Sequence, residues 1–430
     1  MNPLYRNDLP GTYPDSYYAA SAELAAERQA LDGDVSVDVV VIGAGYTGLS
    51  TALHAVRHGL NVLVLDAHRV GFGASGRNGG QAGTGWNWDQ RDLEARLGRD
   101  DARKLWDLTV EAKALTRSLV AEHAPEAAYK PGVLHGHWSK SGAEDARAYG
   151  AWLAENYDYP SEYLDRETFQ SACCSPVYAG GLLDHDAGHL HPLRYVLGLA
   201  RAAEAAGVRI CERTEALELT DTTVRTATGT VTASHIVVAG NGYLSDISDE
   251  IARRVMPINS FIAATEPLGE LADSVLPQDI AVADDKFVVN YFRLSEDKRL
   301  LFGGRESYSI GYPSDINTAL RKRMLHLFPQ LTDTRIDYSW GGTLGITMTR
   351  LPMVRRIGPN TLAAGGFSGH GVAITGLVGK ILAEVIAGQQ GRFDLLGKLP
   401  VSTFPGGKRA RTPLLTLAMT WYALRDRLGL

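Results

Sequence analysis

The pattern of apolar and polar positions is clearest near the start of the chain, where a strand, a helix and a second strand follow one another. The apolar run Val37–Ile42 is typical of a strand that is buried on both faces. A helical pattern covers Leu49–His58, with Gly59 as its C-cap, and a second apolar strand, Asn61–Leu65, ends in Asp66. This order predicts a βαβ unit and therefore an α/β fold with a parallel sheet.

The turn between the first strand and the helix has the spacing G-x-G-x-x-G, formed by Gly43, Gly45 and Gly48. In dinucleotide-binding units these glycines permit a tight turn, a close approach of the backbone to a pyrophosphate, and close packing of helix on strand. The helix N-terminus favours phosphate groups, and Asp66 can accept hydrogen bonds from ribose hydroxyls. The context predicts dinucleotide binding rather than an ordinary glycine-rich turn, but it does not separate NAD from FAD.

Two further loops are rich in glycine. Val70–Gln81 contains five glycines together with the donors Arg77 and Asn78, so its backbone can lie flat against a planar cofactor. Leu362–Gly371 precedes another helical pattern, and a helix start of this kind stabilises negative charge on the pyrimidine edge of a flavin. The alternatives are a flexible surface linker for the first loop and tight helix–sheet packing for the second.

Elsewhere the pattern alternates between helices and strands. It predicts helices over Ala19–Leu31 and Asp101–His123, and it predicts a buried strand from His235 that ends at Gly240. Strand-like segments dominate from about residue 250 to residue 338. Alternation across Asn290–Leu294 favours a sheet with one face toward a ligand.

Composition and charge limit the classes of protein. The 430 residues suffice for two domains, and a net charge of -6 gives no reason to expect a nucleic-acid partner. The three cysteines, Cys173, Cys174 and Cys211, are too few for a disulfide framework, lack metal-ligand spacing and fit a reducing cytoplasm. No signal-peptide pattern or membrane-spanning run is present. We therefore expect a cytoplasmic protein without a metal site or a transmembrane segment.

With its three glycine loops in place, the chain resembles the superfamily of FAD-dependent D-amino-acid oxidases and sarcosine oxidases. Within that superfamily it looks most like the gamma-glutamylputrescine oxidases. The matching motifs are Ser16–Ser21, Gly43–Ser50, Gly71–Gln81, Gly188–Pro192, Ser368–Val372, Phe404–Gly407 and Leu424–Gly429.

The resemblance implies a Rossmann-like FAD-binding domain and a mixed α+β substrate domain built from inserted segments. The expected divisions are an N-terminal arm over 1–34, the FAD-binding domain over 35–84, 160–249 and 339–400, the substrate-binding domain over 85–159 and 250–338, and a C-terminal tail with a helix over 401–430.

The resemblance also implies which residues hold FAD. The ADP half is expected on Gly43, Gly45, Tyr46, Thr47, Gly48 and Asp66, with Gly240 on the strand that returns to the cofactor. The flavin ring is expected against Ser75, Gly76, Arg77, Asn78, Gly79, Gly80 and Gln81, and against Gly366, Phe367, Ser368, Gly369, His370, Gly371 and Val372.

The implied reaction is oxidation of a C–N bond by hydride transfer to flavin N5, with O2 reoxidising the flavin to give H2O2 and the imine hydrolysing to an aldehyde. His370 is a candidate for contacting flavin or substrate, and equally for a structural role. Tyr291, Arg305 and Trp340 are candidate substrate residues.

Two departures from sarcosine oxidases matter for these expectations. No cysteine lies between Gly341 and Arg356, where those enzymes attach FAD, so we expect non-covalent FAD. Val372-Ala373 stands where they place a lysine for the substrate carboxylate. This departure argues against a small amino acid held by that lysine, and the resemblance implies a gamma-glutamyl amine or a polyamine-type substrate, with this small-molecule amine and O2 as the partners.

Other functions stay open at this stage. The first is an oxidase or dehydrogenase of a secondary or cyclic amino acid, such as sarcosine or pipecolate. The second belongs to another class and is a flavin-binding redox sensor or subunit without turnover. The sequence does not determine the oligomeric state.

Overall fold

The computed structural model describes residues 3–243, 247–307 and 311–407. The strands in these ranges are β1 Val35–Ile42, β2 Val62–Leu65, β3 Gln81–Ala82, β4 Lys130–His137, β5 Glu162–Asp165, β6 Gly180–His189, β7 Arg209–Cys211, β8 Glu218–Leu219, β9 Thr223–Arg225, β10 Thr230–Val238, β11 Met256–Thr265, β12 Ala281–Asp284, β13 Tyr291–Leu294, β14 Leu300–Ser307, β15 Ile336–Ile346, β16 Met353–Gly358 and β17 Thr361–Gly365. The α-helices are α1 Tyr17–Ser21, α2 Tyr46–Arg57, α3 Gln90–Leu97, α4 Arg99–His123, α5 Lys140–Tyr157, α6 Arg166–Ala172, α7 Pro192–Ala205, α8 Asp249–Ala252, α9 Asn317–Leu327, α10 Ile374–Ile386 and α11 Gly391–Gly397.

The first sheet has the strand order β16-β17-β10-β1-β2-β7. The five strands from β17 to β7 run parallel, while β16 is antiparallel to β17. The end of β1, Val39–Ile42, and all of β2 are buried, because helices cover the sheet as in other parallel sheets. Helix α10 packs against α2, so the helix of the predicted βαβ unit and the helix predicted after the third glycine loop belong to one layer.

The second sheet is mixed and has the order β15-β11-β14-β13-β12-β4-β6-β3, with β5 paired to β6. On β13 the side chains alternate as the pattern predicted. Tyr291 and Arg293 face the loop that contains Gly79, whereas Phe292 and Leu294 enter the apolar core of this sheet. One face of β13 is therefore directed toward the second glycine loop.

Sheet membership shifts two of the expected domain divisions. Strand β6, which lies beyond the expected boundary at residue 160, pairs with β4 and so belongs to the second sheet. Strand β15 pairs along its length with β11 in the same sheet, up to Ile346. The residues of the first sheet therefore resume only after β6 and again after β15. Local pattern could not show this, because the pairing partners lie far apart along the chain.

The N-terminal arm differs from expectation. The predicted helix over Ala19–Leu31 is wrong, because the helix is limited to Tyr17–Ser21 and Ala22 is already extended. Beyond it the arm is held by tertiary contacts instead. Arg28 pairs with Glu204 at 2.6 Å and with the fully buried Glu212 at 3.2 Å. These partners override a helical propensity that is only marginal in a short segment.

At the other end, the predicted helix of the 401–430 tail falls on residues after 407, outside the described part of the chain. Among the helices that the structure describes, none has the length and apolar character required to cross a bilayer.

Candidate active site

A cavity of about 1170 Å³ is lined by residues of both sheets. Its wall includes Ile42, Asp66 and Gly240, which lie at the carboxyl ends of the parallel strands β1, β2 and β10. Ligands of open α/β sheets bind at this edge. The volume exceeds the range of roughly 300–1,000 Å³ that is usual for one small ligand, so the cavity can hold a dinucleotide and a substrate together.

The first glycine turn has the geometry that its sequence predicts. Gly43 has φ of 109°, and a Cβ there would lie 3.0 Å from the backbone of Ala239. A Cβ on Gly48 would lie 1.9 Å from the carbonyl oxygen of Gly43, so only glycine lets α2 pack this close to β1. Gly45 is the N-cap of α2 and lines the cavity without a side chain. The helix N-terminus therefore opens directly into the cavity, as phosphate binding requires.

Asp66 follows β2 and lines the cavity next to this turn. Its carboxylate accepts hydrogen bonds of 2.8 Å from the backbone N–H groups of Ala44 and His68. Burial raises the pKa of this carboxyl to about 6. Both oxygens keep acceptor capacity for the hydroxyls of a ribose.

The sequence did not reveal three further residues at this end of the cavity, Thr214, Glu215 and Ala216. They follow β7, which runs parallel to β2, and the N–H of Thr214 donates to the carbonyl of Asp66 at 2.7 Å. The short strand β7 could have indicated these residues, because the residues that follow its carboxyl end lie beside Asp66. These residues extend the site beyond the position expected for the ribose.

The second glycine loop is fixed largely by its own side chains. The Ser75 hydroxyl accepts a hydrogen bond of 3.1 Å from the N–H of Tyr46, which ties the loop to the N-terminus of α2. The Asn78 amide donates to the carbonyls of Ala74 and Ser75 and accepts from the N–H of Gly80. Its role in the structure is thus to fold the loop, while the residue also lines the cavity.

Arg77 lines the cavity, but its donors are directed mainly at the protein. The guanidinium is almost fully buried, pairs with Asp8 at 2.9 Å and donates to the carbonyls of Phe72 and Gly341. The sequence predicted a donor for the flavin. In the structure these contacts join the loop to the N-terminal arm and to β15, while Nη2 of the guanidinium is buried without a hydrogen-bond partner among the described residues, so a contact with the flavin stays a prediction.

The third glycine loop connects β17 to α10. The Ser368 hydroxyl donates to the carbonyl of Gly366 and accepts from the N–H of Thr347, and the Asn241 side chain accepts from the N–H of Gly366. Ser368 and Gly369 have φ of 54° and 83°, so the loop turns sharply toward α10. The end of β10 and the start of α10 are thereby held against the same cavity.

His370 lies in this loop and lines the cavity. Its Nε2 lies 2.9 Å from the carbonyl oxygen of Gly85, and because a carbonyl only accepts, Nε2 carries the proton. Burial lowers the pKa of the imidazole. His370 is therefore neutral, with one ring nitrogen committed to the protein.

Most of the residues predicted to hold the cofactor line this one cavity. Four glycines do not, and a Cβ on each would collide with the protein instead. On Gly76 it would lie 2.2 Å from the Gly71 carbonyl, and on Gly80 it would lie 2.1 Å from the Leu190 carbonyl. The four are Gly48, Gly76, Gly80 and Gly366. Their function in the loops is close packing.

The three candidate substrate residues differ in placement. Tyr291 lines the cavity, and its ring lies so close to Gly79 that a Cβ there would be 2.8 Å away. The structure does not bring Trp340 to the cavity, because the second glycine loop covers it and the backbone carbonyl of Arg77 accepts its indole N–H at 3.0 Å. Arg305 lies on β14 opposite Phe261, and its side chain is outside the described part.

Beyond Tyr291 the cavity is lined by residues that the sequence did not single out. His135 on β4 projects into it, and desolvation lowers the pKa of its imidazole. Asp284 ends β12, and Phe287 and Arg350 come from two loops. No local motif marks these positions. Phe404 and Pro405 also line the cavity, and there the Phe404–Gly407 motif was a usable signal.

The arrangement fits FAD. Two loops without bulky side chains face the cavity, the N-terminus of α2 opens into it, and Asp66 lies at the ribose position. A Cβ on Gly79 would meet Tyr291, and one on Gly83 would approach His370 at 3.1 Å, so the lining is shaped by the absence of side chains. None of the three cysteines lines the cavity.

Comparison with known proteins agrees with this geometry. The model of the DAO family, described as FAD dependent oxidoreductase, matches residues 38–385. The chain therefore belongs to the DAO family of FAD-dependent oxidoreductases. The predicted family, the α/β fold with a Rossmann-like domain, the enzyme class and the FAD cofactor are confirmed.

Two full-length relatives make the position of the chain within the family more specific. It is 41% identical to a probable oxidoreductase OrdL of Rhizobium meliloti, over 96% of this chain and 97% of that protein. It is 39% identical to the gamma-glutamylputrescine oxidoreductase of Escherichia coli, over 97% of this chain and 99% of that protein. The resemblance to that group is thereby confirmed.

Solved structures share the fold. Glycine oxidase from Geobacillus kaustophilus superimposes with a TM-score of 0.69 at 19% identity, covering 84% of this chain and 98% of that one. L-proline dehydrogenase from P. horikoshii gives a TM-score of 0.70 at 19% identity, covering 85% of this chain and 96% of that one.

Proposed function

We propose that this protein oxidises the terminal primary amine of a gamma-glutamyl amine, or of a similar long amine with a distal carboxylate. The observation that carries the proposal is 39% identity, over nearly the whole of both chains, to a gamma-glutamylputrescine oxidoreductase. Two features support it. His135 and Arg350 line the same large cavity as Tyr291, and Val372-Ala373 stands where sarcosine oxidases place a lysine for a nearby carboxylate.

When bound, FAD would supply the oxidising chemistry, namely acceptance of a hydride from the carbon beside the amine nitrogen and reoxidation by O2 to give H2O2, and the imine product would hydrolyse to an aldehyde. The glycine loops and Asp66 hold the cofactor without a covalent bond. The cavity wall excludes water through apolar residues such as Val133, Ile262 and Val289. Desolvation lowers the pKa of an amine, so it favours the neutral, reactive form of the substrate.

His135 is placed to accept the proton that a substrate ammonium releases on binding. It lines the cavity with an exposed side chain, the lowered pKa of its imidazole favours the neutral form, and the imidazole makes no hydrogen bond to any residue within the described ranges. A neutral imidazole with a free lone pair is a proton acceptor. Tyr291 forms the wall between this histidine and the loop of Gly79.

The test compares kcat/KM for gamma-glutamylputrescine, putrescine and pipecolate, with H2O2 as the readout. We expect gamma-glutamylputrescine to exceed putrescine by tenfold or more, which is about 1.4 kcal/mol. Equal values for the two would refute recognition of the distal end. A tenfold advantage for pipecolate would replace the proposal by a cyclic amino acid oxidase.

Two further outcomes separate the other functions. Flavin bleaching by an amine under anaerobic conditions, with slow reoxidation by O2, would indicate a dehydrogenase. Bleaching by none of the amines would favour a flavin-binding sensor or subunit. A cytoplasmic location remains a prediction from the sparse cysteines, and fractionation of cells that produce the protein would test it.

A further inference from the structure

Arg350 is a cationic residue of the cavity wall, and it lies in the segment Thr347–Arg350. The segment Thr347–Arg350 lines the cavity, and Met348 within it is 49% exposed, so this segment forms the mouth of the cavity. The backbone of the segment is fixed. The Trp88 indole donates to the carbonyl of Thr349 at 2.7 Å, and the Asn87 amide donates to the carbonyl of Arg350 at 3.1 Å.

The guanidinium of Arg350 lies over the ring of Phe287, 4.9 Å from its centroid. Within the ranges that the structure describes, it makes no ion pair and no hydrogen bond. Arg77, the other arginine of the wall among the described residues, is instead paired with Asp8. A stacked guanidinium with its five donors unused is preorganised for bidentate binding of a carboxylate.

Asp284, an acidic residue of the wall, does not pair with Arg350. Asp284 accepts hydrogen bonds from the N–H of Asn290 at 2.8 Å and from the Trp138 indole at 2.8 Å. These bonds fold the loop 285–290, which carries Phe287. Asp284 therefore positions the aromatic platform under Arg350 and does not neutralise the guanidinium.

The spacing suits a long substrate. Phe287 and Tyr291 are four residues apart, which limits their Cα separation to about 14 Å. Ten bonds separate the carboxyl carbon of a gamma-glutamylputrescine from its terminal nitrogen, or about 12 Å when extended. The two lengths are comparable, so a substrate with its carboxylate at Arg350 has the size required to extend toward the Tyr291 side of the cavity.

We propose that Arg350 binds the distal carboxylate of the substrate at the mouth of the cavity and thereby sets the specificity of the enzyme. This inference rests on the proposed function. The contact is remote from the reacting carbon, so it is made equally in the ground state and in the transition state. Its loss raises KM and leaves kcat unchanged.

The experiment uses the holoenzyme and two matched substrates, glutarylputrescine and butanoylputrescine, which differ only by the carboxylate. The variants are Arg350→Met, Arg350→Lys and the control Arg335→Met. Arg335 is 71% exposed, is paired with Glu266 and Asp337, and does not line the cavity. We expect the wild type to prefer the glutaryl substrate about tenfold or more. In Arg350→Met that preference should disappear because the KM for the glutaryl substrate rises. Arg350→Lys should retain part of the preference, and Arg335→Met should retain all of it.

Several results would overturn the inference. One is an Arg350→Met variant that keeps the wild-type preference, which would leave the proposed function intact. Another is an equal loss for both substrates, or a loss of bound FAD, which would assign Arg350 to the cofactor or to folding. If the wild type oxidises neither substrate, the proposed function fails. In that case the affinity for N-butylglutaramate is measured in wild type and Arg350→Met from the change in flavin absorbance. This measurement tests the inference without turnover, and equal affinities would refute it.

Discussion

Replacing Asp66 by alanine should weaken FAD binding without unfolding the protein. The carboxylate accepts two backbone N–H bonds and still faces the cavity, where its remaining lone pairs meet the ribose. A lost charge-assisted hydrogen bond costs about 1.5–3 kcal/mol. The Kd for FAD should therefore rise about 10- to 150-fold. The carboxylate lines the cavity, so water can enter the space that it leaves and bind the two N–H groups, and the fold should persist.

The same carboxylate gives the binding of FAD a pH dependence. Burial raises the pKa of the Asp66 carboxyl to about 6 in the protein without cofactor, so the folded protein favours the protonated form. The stabilisation that this proton provides is present at acid pH and is lost as the pH rises through 6. Ribose hydroxyls act in the opposite direction, because they donate to the ionised form. We expect FAD affinity to fall by up to about tenfold per pH unit below pH 6, and to level off above it. Asp66→Ala should remove this dependence.

The assay is a titration of the apoprotein with FAD, followed by quenching of flavin fluorescence, on both sides of the pKa of Asp66. Asp38→Ala is the matched control. Asp38 lies on β1 and accepts a backbone N–H from Asn61 at 2.8 Å, but it does not line the cavity. A Kd of Asp66→Ala within about twofold of wild type would refute the assigned role, since even the weakest such bond is worth about tenfold. A pH-independent wild-type Kd would refute the role of the charge.

Three further predictions concern the cofactor loops. FAD should be released into the supernatant by acid or heat denaturation, whereas flavin that stays with the precipitate would show a covalent bond. Gly48→Ala should lower the free energy of unfolding by about 1–3 kcal/mol or more and impair FAD retention, because its Cβ would overlap the Gly43 carbonyl. The control is Gly391→Ala, since nothing lies within 4 Å of a Cβ at that position. Equal urea midpoints for the two variants would contradict the prediction. His370→Ala should lower Tm, because the Gly85 carbonyl loses its donor, and an unchanged kcat would restrict His370 to that structural role.

The cofactor loops could be predicted because their signals are local. The turn of Gly43 and Gly48 joins elements that are adjacent in sequence, so composition and order alone identify it. The loop from Gly71 to Gln81 and the loop before α10 are recognisable for the same reason. The prediction was less complete for what each residue does. Arg77 and Asn78 look like donors to a flavin, but whether a donor faces the ligand or its own loop depends on neighbours such as Asp8 that come from elsewhere in the chain.

What the sequence by itself determined is the βαβ unit and the glycine loops, and the resemblance carried by its motifs implied the FAD-dependent class of the enzyme. The tertiary structure alone decided the substrate end. His135, Phe287 and Arg350 come from three segments that meet only when the second sheet forms, and Trp340 is excluded because a loop distant in sequence covers it. The reason is physical: a turn is stabilised by contacts within a few residues, whereas a pocket is defined by long-range strand pairing that no local pattern encodes.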